Sequence, residues 1–485
     1  MEELTDEQRG QCRRRHVRRV ATVIVSMLAS VALAAGYVVA DGNDWVDGAL
    51  TFAAVDGTTF ADARTVRAGT PLVAPADRDK AIDAAAAAKL VDRLCADKAV
   101  GKDVSVAVMQ ADGTVVSSHQ PDTAREPAST MKTLTSLAAA SVLDMGSTLE
   151  TRTLLATGSD GSSTVILSGE GDMLLGAGAS DAAHVNGRAG LATLAQDTAQ
   201  ALRKQGVTKV TVDYDDSLFG DERYPARISE NNGDQLYYTG VSSMAIDGGR
   251  QRVRPLDDPD TFEDYPQLSQ TTAQDTAATF RTLLAAQGIT VQAAAPEQVA
   301  VPEHRTALAS VSSAPLSAVM AFMLQHSDNT LAELFGRLLA LHEGVANSPQ
   351  GATQAVLAQL DKLGVDTDGV TMADCSGLSP GSRLTVSTLA QVQQRNLEIG
   401  IAPAAAEGLS MAGLVGTAAT RLADADASGL LRVKTGSLGT VTSMAGNVSR
   451  EGGGVAAFAV IVNNPSDMAG ARTAVNRFVA ALARL

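Results

Sequence analysis

The sequence Glu126-Pro127-Ala128-Ser129-Thr130-Met131-Lys132 opens an apolar segment, and Val433-Lys434-Thr435-Gly436-Ser437-Leu438 follows about three hundred residues later. The chain has only nine lysines against thirty arginines, yet each segment contains a lysine. A lysine crowded by a second cation can give up its proton and act as a base, whereas an arginine in a protein stays charged. Ser129 and Lys132 form the only S-x-x-K pattern of the chain, one helical turn apart. The two segments therefore indicate a serine nucleophile activated by lysine.

The chemistry of such a serine assigns a role to each segment. Lys132 is the candidate base, and Lys434 is a second cation that lowers the pKa of Lys132 and attracts a substrate carboxylate. The backbone amides of Ser129 and Ser437 are candidates for the two donors that stabilise a tetrahedral intermediate. The alternative interpretation is that Ser129 caps its helix and Lys132 is a solvated surface residue.

Two further serine patterns require a choice. An S-x-N pattern, whose hydroxyl and carboxamide can bridge base and substrate, occurs as Ser229-Glu230-Asn231 in a polar loop and as Ser327-Asp328-Asn329 between two predicted helices. The pattern alone does not favour either copy. Gly377-Leu378-Ser379-Pro380-Gly381 matches the nucleophile elbow G-x-S-x-G. That elbow needs the backbone N–H after the serine, which Pro380 lacks, so we reject it.

Composition excludes several classes of function. The chain has 485 residues and a net charge of −15, which argues against nucleic acid as a partner. Its six histidines form no H-E-x-x-H and no Cys/His ligand spacing, so we expect neither a metal nor a cofactor. Cys95 and Cys375 are too far apart in sequence to indicate a disulfide framework, and whether they pair is left open.

The N-terminal region predicts a membrane-spanning helix. Residues 20–40 carry no charge and are long enough to cross a bilayer. Six arginines in residues 1–19, five of them at positions 13–19, precede this span, which predicts a cytoplasmic N-terminus and an extracytoplasmic body. A cleaved signal peptide, with Ala32-Leu33-Ala34 as its cleavage region, is the alternative. Residues 41–79 are predicted to form a tether between the membrane and the folded body.

The remaining chain predicts one domain, residues 80–152 and 304–485, interrupted by a β-rich insertion at 153–303. Helices and long strands lie on both sides of the insertion, and short strands with loops lie within it. The predicted helices are Ala81–Leu94, Ser129–Leu143, Asp275–Gly288, Pro315–Gln325, Asn329–His342 and Met468–Leu485, and the principal strands are Val104–Met109, Leu430–Lys434, Thr442–Val448 and Val455–Asn463. The last strand is almost wholly apolar, which predicts a central position in the sheet.

Taken in order, S-x-x-K, S-D-N and K-T-G resemble the motifs of the penicillin-recognising serine enzymes. Neighbouring stretches narrow the resemblance to the D-alanyl-D-alanine carboxypeptidase/endopeptidase family of class C low-molecular-mass penicillin-binding proteins, from about residue 80 to the C-terminus. These stretches are Asp215-Asp216-Ser217-Leu218-Phe219, residues 326–333, Asp374-Cys375-Ser376-Gly377-Leu378-Ser379, Met411-Ala412-Gly413 and Gly416-Thr417.

The resemblance implies an α/β (α+β) fold of the serine β-lactamase/DD-peptidase type, with an antiparallel sheet flanked by helices and a long insertion. It implies a serine-type D-Ala-D-Ala carboxypeptidase, with or without endopeptidase activity, that trims peptidoglycan stem peptides through an acyl-enzyme and is inhibited covalently by β-lactams. The implied catalytic residues are Ser129, Lys132, Ser327, Asn329 and Lys434, and the implied substrate-binding residues are Thr435, Gly436, Ser437 and Asp215. An ordinary turn residue is an equally good interpretation of Asp215.

Some residues depart from the family pattern. Residues 169–174 lack the expected Pro and Thr, Cys375 replaces a usual glycine, and Pro380-Gly381-Ser382 alters the following segment. These differences affect loop geometry and specificity rather than the reaction class. A β-lactamase is the second hypothesis, although no class A-type E-x-x-x-N follows the S-D-N motif at a plausible position. A non-catalytic wall-binding or β-lactam-sensing module is the third.

Overall fold

The computed structural model describes residues 6–43, 45–46, 78–254, 256–261, 265–423 and 427–485. The chain divides into two units, Met1–Pro75 and Ala76–Leu485, each of which is described by itself. Most of the predicted tether at 41–79 lies outside the described residues. The S-x-x-K, S-x-N and K-T-G motifs all belong to the second unit.

The described residues of the first unit form one long helix, α1 (Asp6–Gly42). Within it, the 22 residues of Val20–Asp41 have a mean hydropathy of 2.3, and their length and composition would let them cross a membrane. This stretch coincides with the predicted span at 20–40. A signal sequence near an N-terminus has the same properties, so the helix is compatible with both interpretations.

The second unit alternates helices and strands. In its described residues the helices are α2 (Ala84–Cys95), α3 (Lys132–Ala140), α4 (Leu191–Lys204), α5 (Thr272–Ala286), α6 (Leu316–His326), α7 (Asn329–His342), α8 (Pro349–Lys362), α9 (Val386–Leu397), α10 (Pro403–Glu407), α11 (Thr417–Arg421) and α12 (Met468–Leu482). The strands are β1 (Val104–Gln110), β2 (Val115–His119), β3 (Glu150–Thr157), β4 (Ser163–Gly169), β5 (Asp172–Leu175), β6 (Lys209–Asp215), β7 (Met244–Ile246), β8 (Thr290–Val291), β9 (Thr306–Ser312), β10 (Ser410–Met411), β11 (Leu431–Leu438), β12 (Val441–Ser449) and β13 (Val455–Asn463). Short 3₁₀ helices cover Ala128–Met131, Ile228–Glu230 and Asp247–Gly249.

The larger sheet is antiparallel, with six strands in the order β10-β11-β12-β13-β1-β2. Strand β13 is interior, as its apolar sequence predicts. Its side chains alternate between two buried cores: Phe458 and Val460 pack in one, and Ala459 and Ile461 pack in the other. Because α2 and α12 contribute to the core on one face and α3 and α9 to the core on the other, both sides of the strand are apolar. The predicted antiparallel sheet flanked by helices is confirmed.

The insertion contains a second sheet, with strands in the order β8-β6-β4-β3-β9. Strand β4 pairs in parallel with β6, whereas β3 pairs antiparallel with β4 and β9. Helices α4 and α5 pack against each other beside this sheet and contribute to its own hydrophobic core. From β3 to β9 the sheet extends over Glu150–Ser312, slightly beyond the predicted 153–303.

Several local predictions were wrong. The helix expected at Ser129–Leu143 begins as a 3₁₀ turn, and α3 ends at Ala140. The insertion was expected to contain short strands and one helix, but it also contains α4, which buries Leu191, Leu194 and Leu202 along one face. The sequence left open whether Cys95 and Cys375 pair, and in the structure both are free thiols.

Candidate active site

A cleft of about 360 Å³ lies where the S-x-x-K segment, the K-T-G strand and the insertion meet. Its walls combine the three regions that the sequence analysis singled out. The lining residues are Ala128, Ser129, Asn231, Tyr237, Tyr265, Ser327, Asn329, Gly377, Leu378, Ser437, Leu438 and Gly439. Lys132 and Lys434 are fully buried next to this lining. The cleft therefore presents hydroxyl and carboxamide groups to solvent and keeps both amines behind them.

Ser129 and Lys132 lie within hydrogen-bond distance of each other. Ser129 belongs to the 3₁₀ helix Ala128–Met131, and Lys132 is the first residue of α3. Side chains three residues apart eclipse in a 3₁₀ helix, which aligns the hydroxyl with the amine. Lys132 Nζ is 3.1 Å from Ser129 Oγ. This geometry suits proton transfer from the hydroxyl to the amine.

Three acceptors fix the amine of Lys132. In addition to Ser129 Oγ, Nζ donates to Asn329 Oδ1 at 2.7 Å and to the backbone oxygen of Ser376 at 3.0 Å. Burial lowers the pKa of Lys132 to about 8, although the carboxylates of Asp374 and Asp328 act in the opposite direction. The lysine is therefore neutral for part of the time near neutral pH.

Lys434 occupies the other end of the same polar group. Its Nζ donates to Ser327 Oγ at 2.9 Å and to the Thr435 carbonyl at 2.8 Å. Burial, followed by the positive charges of Lys132 and Arg421, holds the pKa of Lys434 well below its ordinary value. Repulsion between two amines is mutual, so the state in which both carry a proton is disfavoured. Burial is the larger cause for both lysines, whereas the sequence interpretation relied on charge repulsion alone.

The structure distinguishes the two S-x-N patterns. Ser327 contacts Lys434 and Asn329 contacts Lys132, so this copy bridges the two amines. Asn231, from the other copy, lies at the cleft wall instead, where its Nδ2 donates to the Leu378 carbonyl at 2.8 Å. Both copies thus reach the cleft, but only Ser327 and Asn329 have described contacts with a lysine.

The K-T-G strand approaches the backbone of Ser129 closely because residue 436 is glycine. A Cβ at this position would lie 2.9 Å from the Pro127 carbonyl and 3.3 Å from the Ser129 nitrogen, and would also meet Ser443 Oγ. Thr435 Oγ1 donates to Thr417 Oγ1 at 2.8 Å, while Ser437 is exposed in the cleft. Strand β11 therefore runs directly beside the backbone of Ser129, with Ser437 lining the same cleft.

The segment after α8 supports the floor of the cleft through Asp374. Its buried carboxylate accepts hydrogen bonds from the backbone amides of Ser376, Gly377 and Ser379 and from Ser376 Oγ. This holds the Ser376 carbonyl in place as an acceptor for Lys132. Ser379, the serine of the rejected elbow, is 1% exposed, which is consistent with the rejection.

The two tyrosines of the cleft wall were not predicted from the sequence. Tyr237 and Tyr265 come from the insertion and pack edge to face, with ring centroids 5.6 Å apart. Aromatic residues in irregular loops give no periodic signal, so their position follows only from the folded insertion. Asp215 ends β6, where its carboxylate accepts the Ser217 amide at 3.0 Å, as in a turn. Asp215 is not one of the described residues that line the cleft, and its role in binding substrate stays a prediction.

Comparison with known families gives a match over most of the chain. Residues 86–260 and 263–485 match the D-Ala-D-Ala carboxypeptidase 3 (S13) family. The match includes all the motifs discussed above and the insertion between them.

Two characterised relatives and one solved structure are similar to the chain. Carboxypeptidase DacB of Mycolicibacterium smegmatis is 34% identical over 74% of this chain and 75% of its own length. A carboxypeptidase of Mycobacterium tuberculosis is 32% identical over 82% of this chain and 87% of its own length. The crystal structure of penicillin-binding protein 4 from Haemophilus influenzae has a TM-score of 0.65 at 20% identity, covering 84% of this chain and all of that one. The structural likeness supports the fold.

Proposed function

The chain belongs to the D-Ala-D-Ala carboxypeptidase 3 (S13) family and is a serine-type D-Ala-D-Ala carboxypeptidase, and we propose that Ser129 is its nucleophile. The observation that carries this assignment is the 3.1 Å contact between Ser129 Oγ and the buried amine of Lys132. Ser129 is also the only residue of the S-x-x-K pair that lines the cleft.

The proposed first step is acylation. Neutral Lys132 takes the proton of Ser129 Oγ while Oγ attacks the carbonyl carbon of the penultimate D-alanine. The amides of Ser129 and Ser437 stabilise the oxygen that becomes negative in the tetrahedral intermediate. The C–N bond then breaks, the amine of the terminal D-alanine takes up a proton, and an ester to Ser129 remains. Water hydrolyses this ester and returns the proton to the serine.

Lys434 has the complementary role of binding the terminal carboxylate. A carboxylate beside Lys434 favours its charged form, and the repulsion between the amines then favours the neutral form of Lys132. The hydroxyls of Thr435 and Ser437 lie on the same strand and hydrogen-bond the carboxylate. Substrate binding thus prepares the base for its task.

Ser327 and Asn329 connect the two ends of the site. Ser327 Oγ, which accepts a hydrogen bond from Lys434, passes a proton toward the leaving amine. Asn329 keeps the Lys132 amine directed at Ser129 through its 2.7 Å hydrogen bond and orients the substrate backbone. Peptidoglycan stem peptides are the substrate class that fits this chemistry. β-Lactams, whose reactive amide lies near a carboxylate, are expected to acylate the same serine.

The apolar part of α1 suggests where the enzyme works. A span of 22 residues with arginines before it is suited to anchor the catalytic unit on the extracytoplasmic side of the membrane, where peptidoglycan lies. We propose that this helix is retained in the mature enzyme, because its apolar stretch is long for a signal peptide.

The test compares purified wild type with Ser129→Ala on muropeptides that end in D-Ala-D-Ala. Wild type is expected to release D-alanine and to form a penicillin adduct visible in its intact mass, and Ser129→Ala is expected to do neither. Ser379→Ala is the matched control and should retain both activities, because the buried Ser379 hydroxyl has no described hydrogen bond to either lysine. Equal release by wild type and Ser129→Ala would refute the assignment. The masses of products from cross-linked dimers separate carboxypeptidase from endopeptidase action.

A further inference from the structure

Residues of the insertion bind three consecutive residues that follow Ser327, namely Asp328, Asn329 and Thr330. The Tyr237 carbonyl accepts a hydrogen bond from Asn329 Nδ2 at 2.8 Å. The backbone of Thr239 pairs with Thr330 Oγ1, which accepts the amide hydrogen at 3.1 Å and lies 3.2 Å from the carbonyl. These contacts fix the side chains of Asn329 and Thr330 from outside the catalytic domain.

The third contact is an ion pair with the central residue of the S-D-N motif. Arg250 Nη2 donates to Asp328 Oδ2 at 2.5 Å, and the two side chains are only 4% and 8% exposed. The other carboxylate oxygen of Asp328 accepts the Leu331 amide at 2.8 Å and so caps α7. Asp328 is therefore bonded to the insertion on one side and to the start of α7 on the other.

The backbone around Arg250 is shaped to accept its guanidinium group. Arg250 Nη1 donates to the carbonyl and the carboxylate of Asp247, at 3.0 and 3.3 Å. Gly248 has a φ of +61°, and a Cβ there would lie 2.7 Å from Arg250 Nη1. Because only glycine leaves this space, the turn packs directly against the arginine.

Ser327 needs such support because of its backbone conformation. It lies in the left-handed region, with φ 60° and ψ 35°, which costs energy for a residue other than glycine. This conformation directs Ser327 Oγ to Lys434 while the next residues turn into α7. A segment held in this way relaxes when its restraint is removed.

We propose that Arg250 is a positioning residue for acyl transfer, which acts by holding the Ser327–Asn329 segment through Asp328. The inference rests on the roles proposed above for Ser327 and Asn329. It assigns the insertion a part in the reaction, because a side chain of the insertion sets the distances between the S-D-N motif and both lysines.

A positional role can be separated from a purely structural one through charge. Three described charged groups act on Lys132: the carboxylates of Asp374 and Asp328, which raise its pKa, and Lys434, which repels its charge. Loss of Arg250 leaves the Asp328 carboxylate uncompensated, so the pKa of Lys132 should rise. Asp328→Asn removes that carboxylate, so the pKa of Lys132 should fall. A pair that only stabilised the fold would not shift the pH dependence in opposite directions.

The experiment uses full-length protein in detergent and measures the second-order rate of acylation by a fluorescent penicillin across about pH 6 to 10. Arg250→Met is expected to be acylated about ten- to a hundred-fold more slowly, with the half-rise of the profile at higher pH. Asp328→Asn, which keeps a side chain able to cap α7, is expected to be slower with the half-rise at lower pH. The double variant should be no slower than the slower single variant, since both changes break one contact.

Arg223→Met is the matched control, because Arg223 pairs with Asp216 within the insertion and has no described contact with the S-D-N motif. It should lower the unfolding temperature without moving the pH profile. The inference would be overturned if Arg250→Met were acylated within two-fold of the wild-type rate with an unmoved pH profile. It would also be overturned if the rate losses of the two single variants multiplied in the double variant. If Arg250→Met does not fold, the acylation rate and pH profile of Asp328→Asn provide the test, and a near wild-type rate with an unmoved profile would overturn the inference. Acylation of Ser129→Ala would instead refute the proposed function, so the two failures are distinguishable.

Discussion

Lys132 and Lys434 share a buried environment in which two protonated amines are unfavourable. Burial lowers the pKa of both, and the hydrogen bonds of Asn329 and Ser327 keep the two amines in separate positions. A neutral amine is thus available beside Ser129 without a histidine. The carboxylates of Asp374 and Asp328 limit this effect, because they stabilise the charged form of Lys132.

The pH dependence of acylation follows from this pKa. Lys132 acts as a base only when neutral, and its pKa is about 8, so the rate should rise with pH and reach half of its maximum near pH 8. Stopped-flow measurement of acylation by a fluorescent penicillin checks this, with the spontaneous hydrolysis of the penicillin subtracted. A rate that stays constant between about pH 6 and 9 would mean that Lys132 is not the titrating base.

A second buried acid predicts how stability changes with pH. Glu333 is fully buried, and burial raises its pKa to about 8. A raised folded-state pKa means that the stability contribution is complete below the unfolded pKa and is lost as pH rises toward 8. Between pH 5 and 8 the free energy of unfolding should fall by about 1 kcal/mol per unit on account of this group.

Glu333→Gln removes that titration and should make the decline with pH shallower. Thermal unfolding of the two proteins at several pH values measures the difference. Asp172, whose pKa burial raises to about 7, is present in both proteins and cancels from the comparison. Parallel curves for wild type and Glu333→Gln would show that Glu333 does not contribute in this way.

At the scale of elements, periodic apolar patterns predicted the helices and strands whose side chains pack in the cores. Strand β13 and helix α7 have the bounds expected from sequence, because the side chains of each form a clear apolar pattern. Helix α4 was missed although its buried leucines recur at helical spacing, since the surrounding strands dominated the interpretation of the insertion. The 3₁₀ turn at Ser129 could not be predicted, because it depends on contacts with β11 and β12.

Some residues of the site could be predicted from sequence motifs, whereas others lie in irregular segments and could not. The S-x-x-K and K-T-G motifs predicted which two lysines lie near the cleft, since the residues of each motif are adjacent in a short stretch of sequence. The Ser376 carbonyl and the tyrosines of the cleft come from irregular segments, where the chain path depends on tertiary contacts. The choice between Asn231 and Asn329 likewise required the fold, because both reach the cleft.

Strand β11 offers a test of how close the two elements must be. Gly436→Ala places a methyl group against the Pro127 carbonyl and the Ser129 amide, so β11 must move away from the nucleophile. The variant should be destabilised by about 1–3 kcal/mol. It should also be acylated by penicillin about ten-fold or more slowly, because the oxyanion donors separate.

Gly178→Ala is the control for Gly436→Ala. A Cβ at Gly178 has no neighbour within 4 Å among the described residues, so both stability and acylation should stay near those of wild type. Unchanged acylation in Gly436→Ala would show that the contact between β11 and the Ser129 segment is not needed for the reaction.

At the scale of the whole molecule, the proposed catalytic residues come from segments far apart in sequence. The S-x-x-K, S-D-N and K-T-G motifs belong to the part that surrounds the insertion, and the insertion supplies one wall of the cleft. The proposed reacting groups therefore all lie outside the inserted region, which contributes to the shape of the cleft.

The N-terminal helix predicts a membrane-bound enzyme. In the cells that make it, the protein should remain in the membrane fraction after an alkaline carbonate wash, because an apolar span of 22 residues inserts stably. Mass spectrometry of the N-terminal peptides should recover sequence from before residue 20. A soluble protein that begins just after Ala34 would instead establish a cleaved signal peptide.

The measurement that tests the central claim most directly is D-alanine release by Lys132→Arg. Arginine keeps the positive charge but cannot become neutral, so release from muropeptides should fall by about 10²–10⁴-fold in a folded protein. Lys132→Met, which has neither charge nor base, should be equally inactive. If Lys132→Arg released D-alanine at a rate close to that of wild type, a neutral lysine would not be the base that activates Ser129.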